Sequence, residues 1–392
     1  MKRVLFALVA LVGVCSSDCG KISTCSGWSV ADPSLSWDAF TQKVHAARQT
    51  ESEKQYSLLL AEFGSDPAVV RECRMGLGHV FFALARFAED PQRKHNLHQF
   101  AMAMVWDVSR SKYMQCLGSE RRVWFEDWLG EFMSVYLGLA GELARHEVAM
   151  ETSEVGETRI AIATVCDYAD PNHTLFGWLG EISKTNRFNY AHRHNYTVVF
   201  ETESADPGRH PVWSALSLPL RLLESNNFDY VMWMDCDALF VDQTVKIESL
   251  LSPGKDLFIS EDGRGLSGGN WIVRNSEWSK SLLKGILENP VFDLFDLKDQ
   301  FGLLWTLLRP GVGAKAANTS EVDLTQSMGY PNQVSLVPQR LLNAYPWALC
   351  RPSHHCFEDG RDFIVSFITL GSQGREMARN LVSGFAHRAV GG

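Results

Sequence analysis

Two aspartates set two residues apart, Asp235 and Asp237, follow directly on the run Tyr230-Val231-Met232-Trp233-Met234. Carboxylates are hard oxygen donors. At this spacing on an extended segment they point the same way, where one divalent cation can bridge both. Manganese or magnesium suits such donors better than zinc, and either completes its shell with water and substrate phosphates. A cation held there would neutralise a nucleotide diphosphate as it leaves, lowering the barrier to transfer of the attached group. The same triplet also occurs as a plain turn or helix cap, so the elements that carry it decide its meaning.

Five consecutive apolar residues, Tyr230 to Met234, fit a strand buried on both faces, and ligands of open α/β sheets sit outside the carboxyl ends of such strands. Further strands read at 159–166, 196–200, 256–260 and 270–274. Helices read at 175–193, at 213–223 despite Pro219, at 278–287 and at 300–308. This alternation predicts an α/β fold with a mostly parallel, Rossmann-like sheet. Residues 263–269 read as a glycine-rich loop that lets backbone approach a ligand. Its first six residues match G-x-G-x-x-G, but a strand follows where a dinucleotide site needs a helix, and no Walker lysine is present. Dehydrogenase and ATPase readings are therefore set aside.

Before the sheet, residues 28–150 show apolar spacings of three and four broken by short Gly/Asp/Pro stretches, which predicts an all-α domain. Polar residues 151–157 read as a linker. His95 and His98 are three apart, but no third ligand is near in sequence, and they read as a surface pair. The first 17 residues, basic and then apolar to Cys15, read as a signal peptide too short to span a bilayer. The mature chain is expected in the secretory pathway (Golgi or ER lumen) or outside the cell, with no stable membrane span. Of nine cysteines, eight remain after Cys15. Cys19/Cys25 and Cys350/Cys356 are close enough to close local loops, whereas Cys166 and Cys236, at strand ends, read as small free core residues. Sequons at Asn172, Asn195 and Asn318 agree with secretion. A formal charge of -9 without a basic run disfavours nucleic acid as a main partner.

Several segments, taken in order, resemble the family of nucleotide-sugar glycosyltransferases that includes yeast galactosyl- and mannosyltransferases and plant xyloglucan xylosyltransferases. They are Tyr190-Ala191-His192-Arg193-His194-Asn195-Tyr196, Met234 to Phe240, Gly269 to Trp278, Asp299-Gln300 and Val337 to Pro346, and the likeness runs from about Thr158 to Phe367. The resemblance implies a GT-A domain over 158–370, a manganese-dependent (or magnesium-dependent) UDP- or GDP-linked sugar donor, a glycan acceptor and retention of anomeric configuration. It implies Asp235 and Asp237 as metal ligands and Gly268, Gly269 and Asn270 as the loop beside the donor sugar. It also implies Asp299 and Gln300 as the pair near the anomeric carbon, with Gln300 stabilising the oxocarbenium-like face, and Thr164 as a nucleotide contact. In place of the family's Gly-Asp-Phe-x-x-His, where the histidine is a metal ligand, this chain has Gly360-Arg361-Asp362-Phe363-Ile364-Val365-Ser366. Ser366 is a poorer ligand than imidazole, which leaves room for a catalytically silent relative that binds glycan or organises other transferases. The neighbouring His354 and His355 read as a surface pair.

Overall fold

The computed structural model describes residues 74–110, 158–166, 177–262, 265–295, 297–308, 330–350, 355–367 and 375–391. The expected leader and linker, Cys19, Cys25, Cys73, Cys116, His354 and the sequons at Asn172 and Asn318 lie outside the described residues. The chain divides into two compact units, one with the first two helices and one with the sheet.

In the first unit α1 (Arg74–Phe87) and α2 (Pro91–Arg110) form a pair. Asp90 starts α2: its carboxylate accepts from the Arg93 N–H at 2.6 Å, and Pro91 takes the first helical position, which needs no donor. The rings of Phe81 and Phe100 stack across the pair with centroids 4.9 Å apart. His95 and His98 are not a surface pair as their sequence suggests. Both are almost fully buried, because their spacing puts them on the helix face that meets α1, where the Phe82 ring lies edge-on to His98. His98 Nδ1 meets the Lys94 carbonyl at 2.7 Å, and burial lowers the imidazole's pKa, which favours the neutral ring.

The second unit is built on a six-stranded sheet: β1 (Ile160–Val165), β2 (Thr197–Glu201), β3 (Tyr230–Met234), β5 (Leu257–Asp262), β6 (Gly265–Arg274) and β7 (Val334–Leu336). The spatial order is β2-β1-β3-β6-β5-β7. β3 lies between β1, parallel, and β6, antiparallel, so both its edges are hydrogen-bonded and its residues from Val231 on are buried. β6 runs antiparallel to its two neighbours, β3 and β5, and so against the other five strands of the sheet. The result is a mixed, mostly parallel α/β sheet, as the alternating pattern predicts. One expectation fails: the glycines 265–269 are not a loop but the first half of β6, with Met234 opposite Asn270 in register. Glycine has low strand propensity, which hides a strand from its sequence.

Side chains two apart along the strands share a face. Ile160, Ile162, Met232, Met234, Phe258 and Ile272 meet Tyr190 and Ala191 of α3 (Gly177–His194) and Phe240 in one apolar cluster. On the sheet, α4 (Ser214–Glu224) and α5 (Glu277–Leu287) pack against each other, with α4 reaching β1, β3 and β6. A short second sheet pairs β4 (Ala238–Phe240) with β8 (Ile364–Ser366), antiparallel. A helix α6 (Lys298–Leu308) precedes the single turn α7 (Gln339–Leu342), and the last helix, α8 (Arg375–Gly391), packs on α3 and β4. Asn195 ends α3 in the left-handed region (φ 60), with the Tyr196 N–H closing on the Ala191 carbonyl at 2.9 Å.

Candidate functional site

Because β6 is reversed, its amino-terminal half lies at the carboxyl ends of β1 and β3, and the glycines meet the acids there. The Asp235 N–H donates to the Gly269 carbonyl at 2.9 Å. The acid pair does not stay extended, contrary to expectation: the Ala238 N–H closes on the Asp235 carbonyl at 3.1 Å. Residues 235–238 thus form a tight turn that carries the chain from β3 into β4, a conformation to which aspartates are suited. The far side of the turn is tied to β8, where the Phe367 N–H donates to the Asp237 carbonyl at 2.8 Å.

Both acids are partly open to solvent. Trp233 Nε1 donates to Asp235 Oδ1 at 2.9 Å. Burial raises the pKa of the Asp235 carboxyl well above the usual range, and the nearby charges of Asp237 and Asp299 raise it further. Burial also pushes Asp237 up to about 6. Asp299, in the first turn of α6 and only 6% exposed, is raised to about 6 by burial, opposed by backbone N–H groups of Gln300 and of Asp299 itself. Desolvation penalises the charge of all three carboxylates, and Asp235 also feels the charges of Asp237 and Asp299.

The glycine pair separates these groups. A Cβ on Gly269 would sit 3.1 Å from Asp235 Oδ2, and one on Gly268 would sit 3.2 Å from the Cβ of Gln300 and 3.4 Å from Asp299 Oδ2. Asn270 is fully buried. Its Nδ2 lies 2.7 Å from Ser366 Oγ, 2.9 Å from the Leu342 carbonyl and 3.2 Å from Asn343 Oδ1, while its own Oδ1 is buried without a partner. Asn343 extends this network to Ser267 and to the Tyr345 hydroxyl, which donates to Asp262 Oδ2 at 2.5 Å. Ser366, where the sequence resemblance expects a histidine, is a buried member of a hydrogen-bonded cluster, paired with Ala238 across the small sheet. His355 is bound to Asp362, with Nε2 at 2.8 Å and 3.0 Å from its two carboxylate oxygens.

Thr164 lies at the end of β1 with its side chain fully enclosed. Its hydroxyl donates to the Met234 carbonyl at 2.8 Å and accepts from Arg187 Nε at 2.6 Å. Cys166 and Cys236 are not free thiols: they form a disulfide, with Cα atoms 5.4 Å apart, that ties the end of β1 to the middle of the acid turn. Cys350 and Cys356 close the local loop their spacing allows.

Sequence reasoning overlooked Arg187, Trp233, Asn343 and Tyr345. A readable signal for Arg187 was present: Leu179, Ser183, Arg187 and Tyr190 recur at helical spacing, and all are buried. At the opposite end of the sheet, Arg159, Asn226, Asp229, Tyr230, Arg274 and Lys280 line an open cleft of about 540 Å³. Its cations are engaged in ion pairs, Arg159 with Asp229 at 2.7 Å, Arg274 with Asp256 at 2.5 Å and Lys280 with Glu277 at 3.4 Å. It has none of the clustered, desolvated acids of the other end.

The second unit is a mixed, mostly parallel α/β sheet with acids and glycines gathered at its carboxyl end. Residues 156–257 match the sequence profile of the galactosyl transferase GMA12/MNN10 family. The chain is 26% identical over 212 residues to "Probable glycosyltransferase 3" of Oryza sativa subsp. indica, covering 49% of this chain and 44% of that protein. It is 27% identical over 108 residues to "Xyloglucan 6-xylosyltransferase 1" of Arabidopsis thaliana, covering 25% of this chain and 24% of that protein. Less than half the length of either relative is matched. The resemblance read from the sequence is thus borne out: the similarity is to this family of glycosyltransferases. Among solved structures, a glycosyltransferase involved in glycosylation of the major capsid of PBCV-1 aligns with a TM-score of 0.41 at 12% identity, over 58% of this chain and 99% of its own. That likeness is too distant to inform individual residues.

Proposed function

We propose that the sheet unit is a retaining glycosyltransferase that moves a sugar from a UDP- or GDP-linked donor to a glycan acceptor in the secretory pathway. The observation that carries this reading is that Asp235 and Asp299 lie against the glycines of a strand at the carboxyl end of the sheet, with Asp237 two residues on in the same turn, and that burial raises the pKa of all three. The donor chemistry fits manganese or magnesium. Asp235 and Asp237 would supply two hard oxygens, and water and a diphosphate would complete the shell. Bound there, the cation would supply charge neutralisation of the departing diphosphate.

The chain's own residues would do the rest. Gly268 and Gly269 let the backbone of β6 lie directly against Asp235, Asp299 and Gln300, where a Cβ would crowd them. Gln300 would offer its amide to the anomeric centre, where positive charge develops, and Asp299 accepts backbone N–H groups at the start of α6. The acceptor hydroxyl loses its proton to an oxygen of the leaving phosphate, so no separate protein base is required. No helix among the described residues is long and apolar enough to cross a membrane. Hydrolysis of nucleotide sugars with manganese, compared between the parent and Asp235→Ala, tests the proposal. A loss of roughly 100-fold or more is expected, and equal turnover rejects it.

A second reading has one observation in its favour: the buried Ser366, held by Asn270, where imidazole would complete a metal site. It makes the protein a catalytically silent glycan binder or scaffold. Calorimetry separates the two, since donor binding indifferent to manganese, without turnover on any glycan, supports the silent form.

A further inference from the structure

Arg187 is a cationic side chain with no exposed surface, placed in the middle of α3, and the chemistry above gives it no role. Desolvating a guanidinium is costly and is offset only where acceptors are well placed. Its acceptors lie mainly on one short stretch of backbone. Nη2 donates to the Asp235 carbonyl at 2.5 Å and to the Met234 carbonyl at 3.4 Å, and Nη1 donates to the Ala238 carbonyl at 3.2 Å. Nε donates to Thr164 Oγ1, which is itself bound to the Met234 carbonyl. One helical turn back, the Ser183 carbonyl at 3.1 Å and the Ser183 hydroxyl fix the other side of the fork. A single planar group therefore spans the end of β3 and both ends of the 235–238 turn.

We propose that Arg187 is a positioning residue for the cation site: its guanidinium holds residues 234–238 in the turn that brings the carboxylates of Asp235 and Asp237 together before any ligand arrives. This rests on the reading of those two aspartates as cation ligands. The disulfide at Cys236 and the Phe367 hydrogen bond brace the same turn from its other sides, and the Arg187 guanidinium reaches both of its ends. Lysine keeps the charge and loses the fork, since an ammonium is a point donor that cannot address spread carbonyls at once. A role through charge alone predicts the opposite pattern. Lysine would then equal arginine, and a neutral side chain would tighten cation binding by deepening the negative potential at the acids.

The test is a titration of the whole protein with Mn²⁺, without donor, following free Mn²⁺ by electron paramagnetic resonance well below the melting temperature of each variant. The variants are Asp235→Ala, Arg187→Lys, Arg187→Met and Thr164→Val. If Asp235→Ala binds as the parent does, the aspartates are not the ligands, and the functional reading fails independently of Arg187. With binding abolished in Asp235→Ala, Arg187→Lys is expected to bind about tenfold more weakly than the parent, as for loss of one hydrogen bond from a charged donor. Arg187→Met should bind at least that weakly, and Thr164→Val should lose a few-fold. Parent-like affinity in Arg187→Lys, or tighter binding in Arg187→Met, overturns the proposal. A purely structural role would lower melting temperatures and leave the affinity of the folded protein unchanged, which equally overturns it. If the Arg187 variants do not fold, Thr164→Val decides, and parent affinity there is the refuting result.

Discussion

Gly269→Ala puts one methyl group into the gap between glycine strand and acid turn. The added Cβ would lie 3.1 Å from Asp235 Oδ2 and 3.8 Å from Asn343 Oδ1. The second distance is ordinary contact. The first requires the carboxylate to give way by a few tenths of an ångström. Asp235 has little freedom to do so: its N–H is tied to Gly269, its carbonyl to Ala238 and Arg187, and Oδ1 to Trp233 Nε1 at 2.9 Å. Rotation about the carboxylate bond therefore weakens the Trp233 hydrogen bond, worth about 1 kcal/mol net, and moves Oδ2 away from where it would bind a cation. Ligand distances for these ions are tolerant to only about 0.2 Å, so a further fraction of a kcal/mol follows. Together the affinity for Mn²⁺ should fall about tenfold, since a 1.36 kcal/mol change is a factor of ten. Global stability should change by no more than about 1 kcal/mol, because Gly269 lies outside the positive-φ region and alanine there reduces the entropy of the unfolded chain. Calorimetric Mn²⁺ titration alongside thermal unfolding measures both. Unchanged affinity would mean that Oδ2 does not face the cation, and the geometric argument for Gly269 would be wrong.

The raised carboxyls also predict a pH dependence. Asp237 and Asp299 titrate near 6 in the folded protein against 3.8 as the reference. The folded state therefore holds these protons more tightly than the unfolded state, and their contribution to stability is present below about pH 4 and lost as pH rises through 6. For Asp299 alone this is on the order of 3 kcal/mol, to be read from denaturant unfolding of metal-free protein at pH 4, 6 and 7. Mn²⁺ affinity should move the other way, falling as pH drops through 6, because the cation must displace the protons. An affinity that is flat between pH 5 and 7 would contradict the assignment. Replacing Cys166 and Cys236 with serine removes a cross-link between residues 70 apart in sequence. It should cost about 2–4 kcal/mol of stability and weaken Mn²⁺ binding, measured by thermal unfolding and titration of the double variant.

The central strand and the acids at its end were legible because β3 is buried on both faces, and its apolar run could not be mistaken for a half-exposed strand. The helices from α3 to α6 were legible within a few residues for the matching reason, a long periodic pattern. The glycine strand was not, since Gly265, Gly268 and Gly269 supply no side chains to show an alternation, and only pairing with β3 and β5 makes the segment a strand. β4 and β8 are three residues each, and their partnership spans more than a hundred residues of chain, beyond any local signal. The Cys166–Cys236 bond follows from the parallel pairing of β1 and β3, which brings two strand ends together, and connectivity of that kind is a property of topology. His95 and His98 show the opposite failing: helical spacing correctly put both on one face, but polarity assigned that face to solvent.

The reversed direction of β6 carries a consequence for how this site tolerates change. Its glycines and the aspartates of the neighbouring turn enter from strands travelling opposite ways, joined by a ladder rather than by a short loop. An insertion upstream of β6 that slid it by one position would turn the glycine pair through the pleat and set bulky neighbours against the carboxylates. Length variation should accordingly be survivable at the far rim of the sheet and ruinous in the hairpin leading into β6.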